Sequence, residues 1–264
     1  TRVQPQAQHW ADKLAARGHE ALVLPLIEVR ALADTTAVHS AWSNGSHYRA
    51  AMFVSRHAVD YFFDAKPVAV PDGEALAAMG TRCWATGPGT ASALLAHGVA
   101  THCLDTPPEQ AGQFDSEALW QQVYGQVQPG DRVLIVRGDS VAADGSSLLD
   151  NDQGVGREWL AERLRQSGAR VDFVVAYQRG APVWTRHQCE LAQSAATDGS
   201  VWLFSSAEAL DHLQRLLPAQ DWSAARAVAT HPRIEAAARK LGFAVVKQSR
   251  PTLADVLASV ESFA

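Results

Sequence analysis

The sequence predicts an α/β protein built on parallel sheets. A unit of apolar strand, short Gly/Ser/Thr loop, amphipathic helix, glycine and second strand recurs along the chain, which is the βαβ grammar of such sheets. Gly98 and Gly242 fall where helices of two of these units end, a position that favours a left-handed cap. The 264 residues, 47% hydrophobic and 19% charged, supply core material for two domains of about 130 residues each.

The chain opens with TRVQ, the end of a strand, and continues in PQAQHWADKLAARG, where Ala7, Trp10, Ala11, Leu14 and Ala15 follow helical spacing and Gly18 ends the helix. A strand, loop and helix follow in AAMFVSRHAVDYFF (50–63), and a complete unit in CWATGPGTASALLAHGVATHCL (83–104). The next unit starts with VLIVRGD (133–139), resumes at GREWLAERLRQSG (156–168) and ends in ARVDFVVAY (169–177). The intervening residues 140–155 are an insertion whose acidic, small and polar side chains predict a solvated, mobile loop. SVWLFSSAEALDHLQRLL (200–217) and RAVATHPRIEAAARKLGFAVVKQ (226–248) complete the series.

Six units present six loops, at Thr1-Arg2, Ser55-Arg56, Gly87-Pro88-Gly89-Thr90, Arg137-Gly138, Ser205-Ser206 and Thr230-His231. In open parallel sheets, ligands lie beyond the carboxyl ends of strands, where loops feed helix N-termini. Each loop read singly is an ordinary helix cap. Read together, the six suit a ligand carrying several carboxylates, because helix dipoles and free N–H groups favour negative charge.

Composition excludes several classes. A net charge of −5 argues against a general nucleic-acid binder. The longest apolar run, Ala21 to Ile27, is too short to cross a bilayer, and no basic segment leads into an apolar one at the N-terminus. Cys83, Cys103 and Cys189 have neither metal nor redox spacing, so free thiols in the cytoplasm are expected. GPG at 87–89 lacks the rest of a phosphate or dinucleotide loop, the histidines complete no ligand set, and DNDQG (150–154) is too short for a calcium loop. No cofactor and no metal are expected. The eight tryptophans are expected in cores or on domain faces, since no basic interleaving accompanies them.

In order along the chain, these motifs resemble the uroporphyrinogen-III synthase family. GHEALVLPLIEV (18–29) resembles the family's opening, in which a strand ends in a proline-containing apolar stretch, and FVSRHAVDYFF its first phenylalanine, hydroxyl and alanine-valine pattern. ATGPGTASAL resembles its glycine and threonine turn, VLIVRG with GREWLAERL its arginine-glycine turn and helix, and VAYQR its tyrosine-containing linker. LFSSAEAL and ATHPRIEAAARKLGF resemble its last two units. Val54, His57 and Ser205 depart from the residues usual there, namely Thr, Asn and Thr.

The resemblance implies two doubly wound parallel-sheet domains, each a three-layer α/β/α stack, with a cleft between them. Residues 1–30 and 182–264 would form one discontinuous domain, 36–173 the inserted one, and 29–35 with 174–181 a two-stranded linker. It further implies a monomeric, cytoplasmic lyase that closes hydroxymethylbilane, handed over by hydroxymethylbilane synthase, to uroporphyrinogen III. Tyr177 would be the catalytic proton donor, because a phenol with a pKa of about 10 is protonated at neutral pH; a linker tyrosine that packs one face and wets its hydroxyl is the other reading. Arg137, Arg157 and Arg179 are candidate carboxylate partners, by two parallel N–H bonds, or else solvated arginines. Ser55, Thr90, Gly138, Ser205, Ser206 and Thr230 complete the candidate substrate-binding set. A non-catalytic hinge-type binding protein for a polycarboxylate would share the two-lobe outline.

Overall fold

The computed structural model describes residues 4–68, 70, 80–108, 116–141 and 155–263. The Thr1-Arg2 loop and most of the predicted insertion, 142–154, lie outside the described residues. The elements of the first half are α1 (Gln4–Ala15), β1 (Glu28–Ala31), α2 (Thr36–Ser43), β2 (Ala50–Phe53), α3 (Arg56–Asp64), β3 (Arg82–Ala85), α4 (Pro88–Ala96), β4 (Leu104–Asp105), α5 (Ser116–Val123) and β5 (Arg132–Ser140). Then come α6 (Val155–Gln166), β6 (Arg170–Gly180), α7 (Arg186–Ser194), β7 (Val201–Phe204), α8 (Ala207–Leu216), β8 (Arg226–Ala229), α9 (Pro232–Leu241), β9 (Val245–Gln248) and α10 (Leu253–Glu261). The chain divides into two compact units, Arg30–Arg179 and the pair of segments Thr1–Val29 with Gly180–Ala264.

In the first unit, β2 pairs in parallel with β3 and β5, β3 with β4, and β5 with β6. The sheet order is β1-β6-β5-β2-β3-β4. Ala50, Met52, Trp84, Val133 and Ile135 face α5 and α6 through Leu119, Val123, Leu160 and Leu164. Phe53 points the other way, edge-on to Phe62 of α3 at 5.5 Å. Trp42 of α2 stacks on Phe62 at 4.7 Å, and its ring N–H donates to the Phe62 carbonyl at 3.0 Å. A sheet covered on both faces is apolar at every strand position, which is why all four residues of β2 are buried.

The second unit holds the parallel sheet β7-β8-β9. Trp222 stacks on Phe243 at 5.1 Å while Trp202 meets Trp222 edge-on at 5.4 Å. Ala209, Leu210 and Leu213 of α8, with Ile234 and Ala238 of α9, close this cluster. Trp42, Trp84, Trp202 and Trp222 are therefore core residues. Gly98 and Gly242 have φ of 85° and 109°, the left-handed geometry expected where their helices end.

The segment expected to be a strand at 18–29 forms ladder structure only from Glu28 onward. Pro25 has no N–H to give a ladder. Leu24, Leu26 and Ile27 instead bury their side chains against α8 and β7. The freed carbonyls accept from rings: the Trp184 indole N–H reaches Pro25 at 2.9 Å, and His212 Nδ1 donates to Leu26 at 2.6 Å.

Candidate active site

From β2 the chain moves outward to β3 and β4 on one side, while β5 and β6 extend the sheet on the other. The carboxyl end of β2 is thus the point where strand order reverses, the ligand position of open parallel sheets. Ser55 stands there as the N-cap of α3, its hydroxyl accepting from the Ala58 N–H at 3.1 Å. Its hydroxyl also lies 3.1 Å from the Tyr177 hydroxyl.

Tyr177 belongs to β6, with β5 lying between it and β2. Two features let it reach across. The register shifts so that Val175 faces Arg137 but Tyr177 faces Gly138; such a bulge adds a residue to one strand and re-aims the side chain that follows. Gly138 leaves the crossing open: a Cβ there would lie 2.4 Å from two ring carbons of Tyr177. Tyr61 covers the ring at 5.8 Å and 27°, and His57 approaches at 5.8 Å and 52°. His57 and Tyr61 are four residues apart on α3, hence on one face. Only 5% of Tyr177 is exposed, so its hydroxyl is held in place.

Burial pushes the His57 imidazole below its ordinary value, the Arg56 and Arg179 charges add to that, and Asp60 opposes it. His57 is therefore neutral at pH 7. Arg179, half-buried, follows Tyr177 by two residues at the end of β6 and so contributes positive charge beside His57.

The remaining candidates are placed differently. Arg137 and Gly138 were expected in a loop, but β5 continues to Ser140 because Asp139 and Ser140 still pair with Gln178 and Arg179. Arg137 packs its guanidinium over Phe173 at 4.6 Å, with Glu158 at 3.8 Å and 15% of its side chain exposed. Thr90 is buried in the first turn of α4. Arg157 lies in α6, but its side chain is outside the described residues. In the other unit, Ser206 is the N-cap of α8, Ser205 precedes it, and the Thr230 N–H donates to the Phe204 carbonyl at 3.2 Å. All three are half-buried at the carboxyl ends of β7 and β8.

Sequence reasoning did not assign Tyr61, His57 or Thr86 to the site. The Thr86 hydroxyl donates to the Val54 carbonyl at 3.4 Å, beside Ser55. Its place directly after β3 was the available signal; for Tyr61 it was the four-residue spacing from His57. Among the described residues, no group of three or more His, Cys, Asp or Glu side chains is arranged to hold a metal ion, and no helix is long and apolar enough to cross a membrane.

Fold and site together define a two-unit α/β protein with hydroxyl-bearing loops at its strand ends and a serine–phenol pair at the switch point of the six-stranded sheet. The family model described as uroporphyrinogen-III synthase HemD matches residues 8–258, and the chain belongs to that family. A mutant uroporphyrinogen III synthase from the extremely thermophilic bacterium Thermus thermophilus is similar over 100% of this chain and 98% of its own, with a TM-score of 0.54 at 15% identity. The uroporphyrinogen-III synthetase of Helicobacter pylori is similar over 93% of this chain and 97% of its own, with a TM-score of 0.53 at 16% identity. Both likenesses show a shared fold.

Proposed function

We propose that this chain is a cytoplasmic, monomeric lyase of tetrapyrrole biosynthesis, which takes hydroxymethylbilane from hydroxymethylbilane synthase and cyclises it to uroporphyrinogen III. The observation that carries the reading is the Ser55–Tyr177 pair at the switch point of a chain from this family. Loss of the substrate hydroxyl gives an electrophilic azafulvene. Ring D attacks it through its substituted carbon, and the resulting spiro-pyrrolenine reopens and recloses inverted. Pyrrole electrons drive each step, so this chemistry calls for no metal or nucleotide. The protein supplies a fold for the chain and a proton for the leaving hydroxide. Tyr177 is the proton donor, and the loops bearing Ser205, Ser206, Thr230 and Thr90 hold substrate carboxylates through hydroxyls and helix N-terminal N–H groups. Arg157 and Arg179 add cationic partners.

The test is isomer analysis. Protein without added metal or nucleotide is mixed with enzymatically generated hydroxymethylbilane, and the oxidised uroporphyrins are separated. Type III should replace the spontaneous type I product. An unchanged isomer ratio at high protein concentration removes the assignment, and activity abolished by a chelator removes the metal-free part.

A further inference from the structure

We infer that Ser55 is a positioning residue for Tyr177 rather than a ligand of the substrate, and that its hydroxyl donates to the phenolate oxygen once the phenol has given up its proton. The inference rests on Tyr177 being the proton donor proposed above. A serine hydroxyl has one hydrogen and two lone pairs. One lone pair of Ser55 Oγ is taken by the Ala58 N–H at 3.1 Å, which fixes the oxygen in place. The Tyr177 hydroxyl is its other neighbour, also at 3.1 Å. In the resting state either hydroxyl can donate to the other.

The proton step changes that balance. The bond between carbon and the leaving oxygen breaks with its electron pair going to oxygen. The phenolic proton joins that oxygen to make water, and the pyrrole nitrogen lone pair fills the carbon to give the azafulvenium cation, whose positive charge balances the phenolate until ring closure releases the carbon-bound proton. Tyr177 is left as a phenolate, which can only accept. Ser55 can then only donate to it, while still accepting from Ala58. The N-terminus of α3, a nine-residue helix capped by Ser55 itself, directs its positive dipole end at the same place. The phenolate recovers its proton from the hydrogen released at the pyrrole carbon attacked last, so atoms and charges balance over one turnover.

The test is a double-mutant cycle in the full chain, with Ser55→Ala, Tyr177→Phe, the pair, and Ser55→Thr. Ser55→Ala should lower kcat by about tenfold or more with KM nearly unchanged, and the same substitution in the Tyr177→Phe background should have almost no further effect. Ser55→Thr, which keeps the hydroxyl, should recover most of the rate. Loss of the helix cap is common to both backgrounds and cancels. An equal fold-loss in both backgrounds, or a change confined to KM, overturns the inference. A readout without substrate separates its failure from that of the acid assignment. With ζ-carbon-labelled tyrosine, the signal missing from Tyr177→Phe should move in Ser55→Ala more than those of the other three tyrosines. If Tyr177→Phe leaves kcat unchanged, the acid role fails; if the labelled signal does not move, the positioning role fails.

Discussion

The Ser55 and Tyr177 hydroxyls lie 3.1 Å apart although 122 positions separate them in the chain. The contact depends on a residue that takes no part in it. Tyr177 crosses β5 to reach β2, and it does so over Gly138, where a Cβ would overlap its ring. Ser55, Gly138 and Tyr177 form one geometric unit drawn from the loop that follows β2 and from the neighbouring strands β5 and β6.

Tyr177→Phe separates proton transfer from positioning. The ring, its contacts with Tyr61 and His57 and its place over Gly138 are kept, and only the hydroxyl is lost. Turnover should fall between a few fold and about a thousandfold, the usual cost of removing one oriented catalytic donor. The product should remain mostly type III. Release of mainly type I would place Tyr177 among the residues that hold ring D.

Gly138→Ala should be harmful without any backbone strain, because the position carries no left-handed φ. The new methyl would meet Tyr177 at 2.4 Å, so the ring or β6 must move. Overpacking of this kind costs about 1–3 kcal/mol. Denaturant unfolding should show that loss, and the residual activity should resemble that of Tyr177→Phe. A fully stable, fully active variant would mean the ring is free to tilt.

Arg137→Ala tests a candidate that the fold has engaged otherwise. The guanidinium covers Phe173 and approaches Glu158, so its removal should cost about 1–2 kcal/mol of stability through lost packing and charge contacts. KM measured on folded protein should change less than about twofold, well under the tenfold that 1.4 kcal/mol of lost binding would give. A KM rise of that larger size would return Arg137 to the substrate.

His57 predicts a pH dependence of stability. Burial depresses its folded pKa below the ordinary 6.5, so as pH falls through that value the unfolded chain takes up a proton that the folded chain does not. Stability therefore declines from about pH 6.5 downward to the folded pKa, and His57 contributes no slope above that window. In His57→Asn this component should vanish. Melting temperatures of parent and variant between pH 5 and 8 should diverge in slope only on the acidic side; parallel curves throughout would show that the folded imidazole is solvated.

What the sequence determined by itself were the parts governed by local rules. Strands β2, β3, β5, β7 and β8, the helices that follow them, strand β9 and the caps at Gly98 and Gly242 were legible, because apolar periodicity and turn chemistry act within about a dozen residues. The loops carrying Ser55, Ser206 and Thr230 were legible for the same reason. Helices α2 and α5 were not, since each is only eight residues long and is held by packing onto the sheet, as Trp42 and Leu119 show. The expected strand before Glu28 failed because Pro25 cannot serve a ladder while the rings of Trp184 and His212, distant in sequence, satisfy the carbonyls of Pro25 and Leu26. Tertiary structure alone decided that Tyr177 faces Gly138 and meets Ser55, and that Arg137 turns to Phe173. Strand register and bulges are settled between segments far apart in sequence, and a shift of one residue reverses the face on which every later side chain stands.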